Sequence, residues 1–325
     1  MKIALIIPYF GTFPQWIDLF FYSVMKNQEL DFIIFTDIEI NDKYSSIPNV
    51  IIKKMEWNEY CDIVSKRLNI EYHPKKAYKI CDLRPFFGSL HNDVLCDYAY
   101  WGFCDLDLVF GNISEYVKSK ISYGYEIISV HGNKVSGHFC LFKNIEKYRK
   151  KPFQIKHWQI KLCGERNIAM DEIEFTRVLL PEHYFLDKAI YFLLKLFHYD
   201  LELLDKNERT FSIMMKCHKV LFKIIKRPNY SFQEMFTTHC AIPNNVWKSK
   251  NPEEYWVYRN GKINAIPSMR ELIYLHFLFL KKTPFLENDY SWDEISFYKI
   301  PSCHSLAFFD NKNIIINRTG IKIQD

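Results

Sequence analysis

The chain has 325 residues, with 43 Lys or Arg against 38 Asp or Glu, so its formal net charge is +5. Hydrophobic residues make up 48% and charged residues 25%, the proportions of a folded globular protein. These values exclude a disordered chain, a collagen-like chain and a low-complexity linker. The small positive charge does not indicate a nucleic-acid partner, and no aromatic-basic RNA-binding motif is present.

Nine cysteines are spread along the chain without a C-x-x-C pair, and their number is odd. This usage is typical of free, buried thiols in a reducing cytoplasm rather than of disulfides or a zinc site. The longest uncharged stretch, Ile3–Ile17, has 15 residues, whereas a spanning helix needs roughly 20. The sequence therefore predicts a cytoplasmic protein without a transmembrane helix.

The first part of the chain has the pattern of a strand, a helix and a strand. Apolar runs predict strands at Lys2–Pro8, Asp31–Thr36 and Val50–Lys53, and helical spacing predicts a helix at Trp16–Met25. This order favours an α/β fold with a parallel sheet that is flanked by helices. Ligands of such sheets bind outside the carboxyl ends of the strands, where the loop beginning at Pro8 and the side chain of Asp37 lie.

Further elements follow in chain order. The predicted elements are strands at Asp97–Cys104, Glu126–Val130 and His138–Phe142, a short helix at Asn167–Leu180, two amphipathic helices over residues 188–227, a hairpin that turns at Asn260-Gly261, and an apolar helix at Ser268–Lys281. The sequence contains no internal repeat.

Asp105-Leu106-Asp107, at the end of a predicted strand, is the strongest local motif. Residues i and i+2 of an extended chain project to one side, so both carboxylates can face a single point. Two carboxylates in this position suit a hard divalent cation that also holds a diphosphate. With 18 Asp in the chain, chance alone supplies about one D-x-D pair, so its place after an apolar strand carries the metal interpretation.

A second polar group lies in YKICDLRPFFG at residues 78–88, where Lys79, Asp82 and Arg84 alternate with apolar residues. Lys and Arg can neutralise phosphates, and Asp82 can accept hydrogen bonds from sugar hydroxyls. The alternative is the start of an amphipathic helix with a solvated charged face, ended before Pro85.

Other titratable residues have both a catalytic and a structural interpretation. Asp171 and Glu172, near a helix start, could supply a general base or could stabilise the helix dipole. His276 could be a third metal ligand or a core histidine. His131 and His138 flank a glycine-containing loop from which polar groups could reach a sugar. The fingerprints of P-loop kinases, dinucleotide-dependent oxidoreductases, serine hydrolases and zincins do not occur in the sequence.

Taken in order, these motifs resemble those of bacterial metal-dependent glycosyltransferases of GT-A fold, which are associated with capsular and other surface polysaccharides. The segments that carry the resemblance are IIPYFGTFPQW at residues 6–16, FTD at 35–37, YKICDLRPFFG at 78–88, YWGFCDLDLVFGNI at 100–113, SGHFCLFKN at 136–144, MDE at 170–172 and LHF at 275–277. The match is most specific around Asp105 and looser at Asp171 and His276.

The resemblance implies a role for each group. Asp105 and Asp107 would hold Mn²⁺ or Mg²⁺ against the donor diphosphate, His276 would complete the coordination, and Asp171 or Glu172 would act as the base. The implied donor-binding residues are Pro8, Tyr9, Phe10, Asp37, Lys79, Asp82, Arg84, Asp105 and His138. If Asp171 or Glu172 removes the acceptor proton, the transfer inverts the anomeric centre.

The resemblance further implies transfer from a nucleotide diphosphate sugar, such as a UDP-sugar, to a lipid-linked saccharide. It implies a single GT-A domain over 1–325, with a nucleotide-sugar part (1–113), an acceptor-side part (114–187), a helical insertion (188–228) and a closing C-terminal part (229–325). The alternatives are a sugar nucleotidyltransferase, for which the first loop lacks the glycine-rich basic sequence, and an inactive scaffold of a polysaccharide assembly complex.

The net charge is concentrated in the predicted helical insertion. Residues 188–227 contain nine Lys or Arg against four Asp or Glu, and the basic residues recur at helical spacing beside apolar ones. A basic face next to an apolar face suits an anionic membrane surface, which would place the protein at the inner face of the plasma membrane. The alternative is a helix pair that packs on the domain with a solvated lysine face.

Overall fold

The computed structural model describes residues 1–182, 228–233, 255–277, 303–317 and 320–324, with a few isolated positions between 185 and 225. The fold is mixed α/β, with a largely parallel sheet flanked by helices, and this confirms the predicted fold class. The strands are β1 (Ile3–Pro8), β2 (Leu30–Thr36), β3 (Val50–Lys54), β4 (Tyr100–Cys104), β5 (Leu108–Phe110), β6 (Ile127–Ser129), β7 (Phe139–Lys143), β8 (Tyr230–Phe232), β9 (Tyr255–Arg259), β10 (Lys262–Ile266), β11 (Arg270–Leu272), β12 (Tyr274–His276), β13 (Asn313–Asn317) and β14 (Gly320–Gln324).

Short helices connect these strands. The α-helices are α1 (Ile17–Met25), α2 (Asp42–Ser45), α3 (Trp57–Leu68), α4 (Phe87–Leu90), α5 (Ile113–Ser122), α6 (Glu146–Lys150), α7 (Trp158–Cys163) and α8 (Thr176–Leu179). In the part of the chain that the structure describes, three 3₁₀ helices span Ala77–Phe86, Lys151–Gln154 and Leu306–Phe309, and a π-helix spans Met170–Phe175.

The chain forms two compact units, and the first consists of residues 1–59, 104–120 and 236–325. Its β1 pairs in parallel with β2, and β2 pairs in parallel with β3. Ile3–Ile7 of β1 and nearly all of α1 are buried, as continuous apolar runs of this kind predict. The predicted strand–helix–strand order at the start of the chain is therefore confirmed.

An antiparallel sheet of five strands, in the order β11-β10-β9-β13-β14, also belongs to the first unit. Its β9–β10 hairpin turns at Asn260 and Gly261, which have φ values of 47° and 83°. A two-residue turn with both residues at positive φ favours Asn-Gly, so the sequence predicted this hairpin and its turn correctly.

The apolar helix that the sequence predicts over Ser268–Lys281 is wrong, because its described part, up to Phe277, forms the two short strands β11 and β12. β12 pairs antiparallel with β5, which places His276 opposite Leu108. The run of apolar residues is compatible with a helix or with a fully buried strand, and periodicity alone does not distinguish them. Pairing with β5 decides the outcome, and that pairing joins segments more than 160 residues apart.

The second unit consists of residues 60–103 and 121–235. In it β6 pairs antiparallel with β7 and parallel with β8. The helix predicted over Asn167–Leu180 is present only from Met170, as a π-helix that continues into α8. Ala169 precedes it in the left-handed region, with φ of 51°.

The cysteines follow the prediction in part. In the described part of the chain all of them are free thiols; four are buried, Cys81 is half-buried, and Cys96 and Cys163 are exposed. No helix among the described residues combines the length and the apolar character that crossing a membrane requires. The predicted basic helices over residues 188–227 lie almost entirely outside the described residues.

Candidate active site

In the first unit, Asp105 and Asp107 lie just before β5, and His276 is the last residue of β12, which pairs with β5. One ligand atom from each side chain lies within 4.8 Å of the other two. The Nε2 atom of His276 is 3.4 Å from Oδ1 of Asp107, and both of these side chains are largely buried. The D-x-D pair that the sequence singles out thus has a third potential ligand beside it.

Two contacts explain why these residues converge. The strand β4 ends at Cys104, and the bend over residues 105–107 is held by the indole of Trp16, whose Nε1 donates to the Leu106 carbonyl at 2.7 Å. On the other side, the backbone N–H of Phe277 donates to the Asp107 carbonyl at 2.8 Å. Because β12 runs antiparallel to β5, this bond places His276 directly beside the second carboxylate.

This donor set fits a divalent cation. Carboxylate oxygens are preferred by Mg²⁺ and Mn²⁺, and an imidazole nitrogen in the same set favours a transition metal such as Mn²⁺. Two carboxylates so close together repel each other, and a bound cation removes that repulsion. Asp105, Asp107 and His276 are therefore suited to hold Mn²⁺ or Mg²⁺.

The loop after β1, also in the first unit, is fixed to the end of β2. The backbone N–H of Gly11, at φ of 114°, donates to Oδ1 of Asp37 at 2.9 Å. The Lys54 ammonium donates to the Asp37 carbonyl at 2.7 Å. These bonds place Asp37 next to the loop, as the parallel sheet predicts, and occupy one of its carboxylate oxygens.

Pro8 and the two aromatic residues that follow it are half-buried in this loop. The ring of Tyr9 stacks on Phe13 with centroids 5.8 Å apart, and Phe10 meets Trp57 edge to face at 5.3 Å. These rings offer a partly exposed, rigid apolar surface at the carboxyl end of β1, of the kind on which a planar group can stack.

In the second unit, the structure places Lys79 and Asp82 in the interior instead of at a surface. Both side chains are fully buried, and Lys79 Nζ lies 2.9 Å from Asp82 Oδ2. The Lys79 ammonium also donates to the carbonyls of Lys161 and Arg166, and the Asp82 carboxylate accepts from backbone N–H groups of Ile168 and Met170. The hydrogen bonds of Lys79 and Asp82 thus hold the segment that leads into the π-helix.

Arg84 lies beside the predicted base residues. Its Nη1 is 2.9 Å from Oδ2 of Asp171, and its guanidinium packs over the ring of Phe103. Asp171 is only 2% exposed. Burial raises the pKa of its carboxyl, and the positive charge of Arg84 partly offsets this rise. The sequence pattern pointed to both residues but gave no indication that they pair.

Glu172 is the more accessible of the two acidic residues, with 32% of its side chain exposed. Its carboxylate forms an ion pair with Lys134 and accepts from the backbone N–H of Gly137 at 3.2 Å. Burial alone would raise the pKa of Glu172, but the Lys134 charge and hydrogen bond bring it below its ordinary value. Glu172 is therefore ionised at neutral pH.

Gly137 lies where three of these side chains meet. A Cβ atom at this position would lie within 3.1 Å of atoms of Arg84, Asp171 and Glu172. A side chain here would displace the cluster, so the glycine leaves space that the charged groups require. Lys134 and Gly137 are site residues that the sequence analysis missed; the Gly-containing loop between two strands was the available signal.

The two histidines of this loop differ in their environments. Burial lowers the pKa of His131 to about 4, so its ring is neutral at physiological pH. His138 is half-buried, and its Nδ1 lies 3.1 Å from the Ser136 hydroxyl. Both rings belong to the second unit, as do Arg84 and Glu172.

Comparisons with known proteins add a family and a structural likeness. Residues 5–302 match the model of a family of unknown function, DUF6625. A search of curated proteins finds no match to this chain. The chain is similar to the apo form of glycosyltransferase GlyE from Streptococcus pneumoniae TIGR4, with 10% identity and a TM-score of 0.35 over 69% of this chain and 64% of that one. A second GlyE structure has 11% identity and a TM-score of 0.34, over 73% of this chain and 67% of the other.

Proposed function

This chain belongs to DUF6625, a family of unknown function, and we propose that it is a metal-dependent glycosyltransferase of GT-A type. The observation that carries the proposal is the convergence of Asp105, Asp107 and His276 within 4.8 Å, beside the antiparallel strands β5 and β12. A D-x-D pair with an adjacent imidazole suits the binding of a nucleoside diphosphate through a divalent cation. The resemblance of the ordered sequence motifs to those of bacterial GT-A glycosyltransferases supports the same activity.

The proposed donor is a nucleotide diphosphate sugar, with a UDP-sugar first among the donors to test. Asp105, Asp107 and His276 would hold Mn²⁺ or Mg²⁺, which when bound supplies the positive charge that stabilises a departing diphosphate. Tyr9, Phe10 and Asp37 would contact the nucleotide, because they form the loop at the end of β1 and β2 in the same unit. Ring stacking and a carboxylate acceptor are the contacts that a base and a ribose require.

We propose Glu172 as the general base of the transfer, because it is ionised and about one third of its side chain is exposed. It would accept the proton of an acceptor hydroxyl while that oxygen attacks the anomeric carbon, and this route inverts the anomeric centre. Asp171 is buried against Arg84 and would position the helix turn that carries Glu172. The proposed acceptor is a saccharide, lipid-linked in a bacterial surface-polysaccharide pathway.

The activity is tested by incubating the purified protein with a panel of nucleotide sugars, Mn²⁺ and saccharide acceptors. Release of nucleoside diphosphate with formation of a glycoside is the expected result. Asp107→Asn should abolish both this release and direct binding of Mn²⁺, measured by electron paramagnetic resonance. The matched control is Asp93→Asn, at a surface carboxylate paired with Arg67, which should retain both.

Other outcomes would identify the alternatives. Pyrophosphate release from a sugar phosphate and a nucleoside triphosphate would replace the proposal with a sugar nucleotidyltransferase. Mn²⁺ binding without turnover of any donor would favour an inactive scaffold. Full activity of the Asp107→Asn protein would reject the metal-dependent mechanism.

A further inference from the structure

A basic surface with exposed apolar side chains is present in the second unit, in residues 75–78 and 147–166. The stretch 147–166 alone contains seven Lys or Arg and one acidic residue, Glu165. The net charge of the whole chain, only +5, does not indicate that positive charge is concentrated in this stretch. We call these two segments the basic-apolar surface.

Hydrogen bonds join the two segments. The backbone N–H of Lys75 donates to the Glu165 carboxylate at 3.1 Å, and Lys79, next to Tyr78, donates to the Lys161 carbonyl at 2.8 Å. Within 147–166, the rings of Phe153 and Trp158 meet edge to face at 5.2 Å. The segments therefore form one continuous part of the unit.

Large apolar side chains on this surface point into solvent. Ile160 is 74% exposed, Tyr78 is 64% exposed and Phe153 is 38% exposed. Single exposed apolar residues are ordinary, but three on two hydrogen-bonded segments indicate an interaction surface. Tyr and Phe are also side chains that partition into the interface between lipid headgroups and acyl chains.

Cations occur on the same two segments. Four exposed ones form no ion pair with another residue that the structure describes: Lys75, Lys76, Lys156 and Arg166. Other lysines of the same segments are neutralised, for example Lys150 by Glu146 and Lys161 by Glu174. The basic-apolar surface thus combines positive charges that form no ion pair among the described residues with exposed apolar side chains.

We infer that the basic-apolar surface binds the surface of an anionic lipid bilayer. Lys and Arg are attracted to the negative surface potential of such a membrane, and exposed Ile and Phe side chains gain by entering its interfacial region. Nucleic acid also attracts cations, and the rings of Tyr78 and Phe153 could stack on bases, but Ile160, the most exposed of the three side chains, has neither a ring nor a polar group to bind them. The combination of groups therefore favours a bilayer.

The inference does not depend on the proposed glycosyl transfer, because it concerns binding and needs no turnover. The test uses the full chain and flotation with vesicles of phosphatidylcholine alone or mixed in equal parts with phosphatidylglycerol. The parent protein should float with the mixed vesicles and remain free with the neutral ones. Raising the salt concentration should weaken the electrostatic part of the binding.

Two variants locate the binding. The first is the fourfold variant Lys75→Gln, Lys76→Gln, Lys156→Gln and Arg166→Gln. It should reduce the partition coefficient for mixed vesicles by at least about tenfold. The second, Ile160→Ser, should reduce it by at least about threefold without altering charge.

The matched control removes three lysines and one arginine that are also exposed but lie in the first unit. It consists of Lys53→Gln, Lys262→Gln, Arg270→Gln and Lys322→Gln. This variant has the same net charge as the first one and should float like the parent. Circular dichroism and urea unfolding of every variant separate loss of binding from loss of fold.

Three results would overturn the inference. They are equal flotation of the parent with both vesicle types or with neither, flotation of the fourfold variant at the parent level, and an equal loss in the matched control. Binding to inorganic polyphosphate or to single-stranded RNA in the absence of vesicle binding would likewise reject a bilayer and assign the surface to a soluble polyanion.

Discussion

Lys79 and Asp82 form a fully buried ion pair, with Nζ and Oδ2 2.9 Å apart, that fixes the backbone before the π-helix. The lysine donates to the Arg166 carbonyl and the aspartate accepts from the Met170 N–H. Asp171 and Glu172 come directly after this anchored backbone. The pair thus sets the position of the acidic residues without itself being accessible to a ligand.

Replacing one member of this pair should destabilise the protein severely. Asp82→Asn keeps the shape of the side chain but leaves the Lys79 ammonium buried beside a neutral group. Breaking a buried pair in this way costs about 3–5 kcal/mol. The double variant Lys79→Met, Asp82→Asn removes both charges, so it should lose less stability than the single variant. Urea unfolding measures both values.

The control for this experiment is an exposed ion pair of the same chemistry. Glu39→Gln breaks the pair with Lys54, in which the carboxylate is almost fully exposed and the lysine nearly half exposed, and should change the free energy of unfolding by less than about 1 kcal/mol. If the double variant is the less stable one, the burial of charge is not what determines the stability of this segment.

Much of the fold was predictable because its signals are local. The apolar runs of β1 and β2, the helical spacing of α1 and the Asn260-Gly261 turn each follow from a few adjacent residues. His276 is the opposite case. Its segment was predicted to be helical, and only the pairing of β12 with β5 makes it a strand that reaches Asp107.

The site was predictable as a set of residue types but not as a set of contacts. Asp105 and Asp107 stand out because two carboxylates follow a strand. The position of Lys79 in the interior depends on carbonyls more than 80 residues further along the chain. The Lys134–Glu172 ion pair likewise joins a loop to a helix, and no local sequence pattern predicts that these two segments meet.

Gly111→Ala should weaken metal binding without altering any ligand. A Cβ atom at this position would lie 2.4 Å from the Leu272 carbonyl oxygen, so β5 and β11 must move apart. The movement would be transmitted to β12 and would shift His276 away from Asp107. We expect the Mn²⁺ affinity, measured by isothermal titration calorimetry, to fall about tenfold, the equivalent of about 1.4 kcal/mol.

Gly164→Ala is the matched control, because the nearest atom to its added Cβ would be at an ordinary contact distance of 3.6 Å. Its Mn²⁺ affinity should equal that of the parent. An unchanged affinity in the Gly111→Ala protein would show that the strand pairing does not position His276 as a ligand.

His91 should make the stability of the protein fall in acid. Burial lowers the pKa of its imidazole from 6.5 to about 3, and its Nε2 lies 3.1 Å from the Tyr60 hydroxyl. The unfolded chain binds a proton below about pH 6.5 and the folded chain does not, so stability is lost as pH falls from 6.5 toward 3. The slope from this residue is about 1.4 kcal/mol for each pH unit.

The measurement is urea unfolding at a series of pH values. His91→Gln should reduce the steepness of this decline, although the variant itself is less stable at neutral pH because it disturbs the buried contact with Tyr60. His304→Gln, at an exposed imidazole, should reproduce the parent curve. Identical slopes for the parent and His91→Gln proteins would contradict the assignment.

Glu172→Gln should remove catalysis while leaving metal binding intact. The amide keeps the size of the side chain and can still accept from the Gly137 N–H, but it cannot take a proton from an acceptor hydroxyl. Loss of a general base lowers kcat by about 10²–10⁴-fold. Glu174→Gln is the matched control in the same helix turn, where the carboxylate pairs with Lys161 and Arg177, and its kcat should stay near the parent value. Equal losses in both variants would mean that the helix is disturbed as a whole, and full activity of Glu172→Gln would exclude this residue as the base.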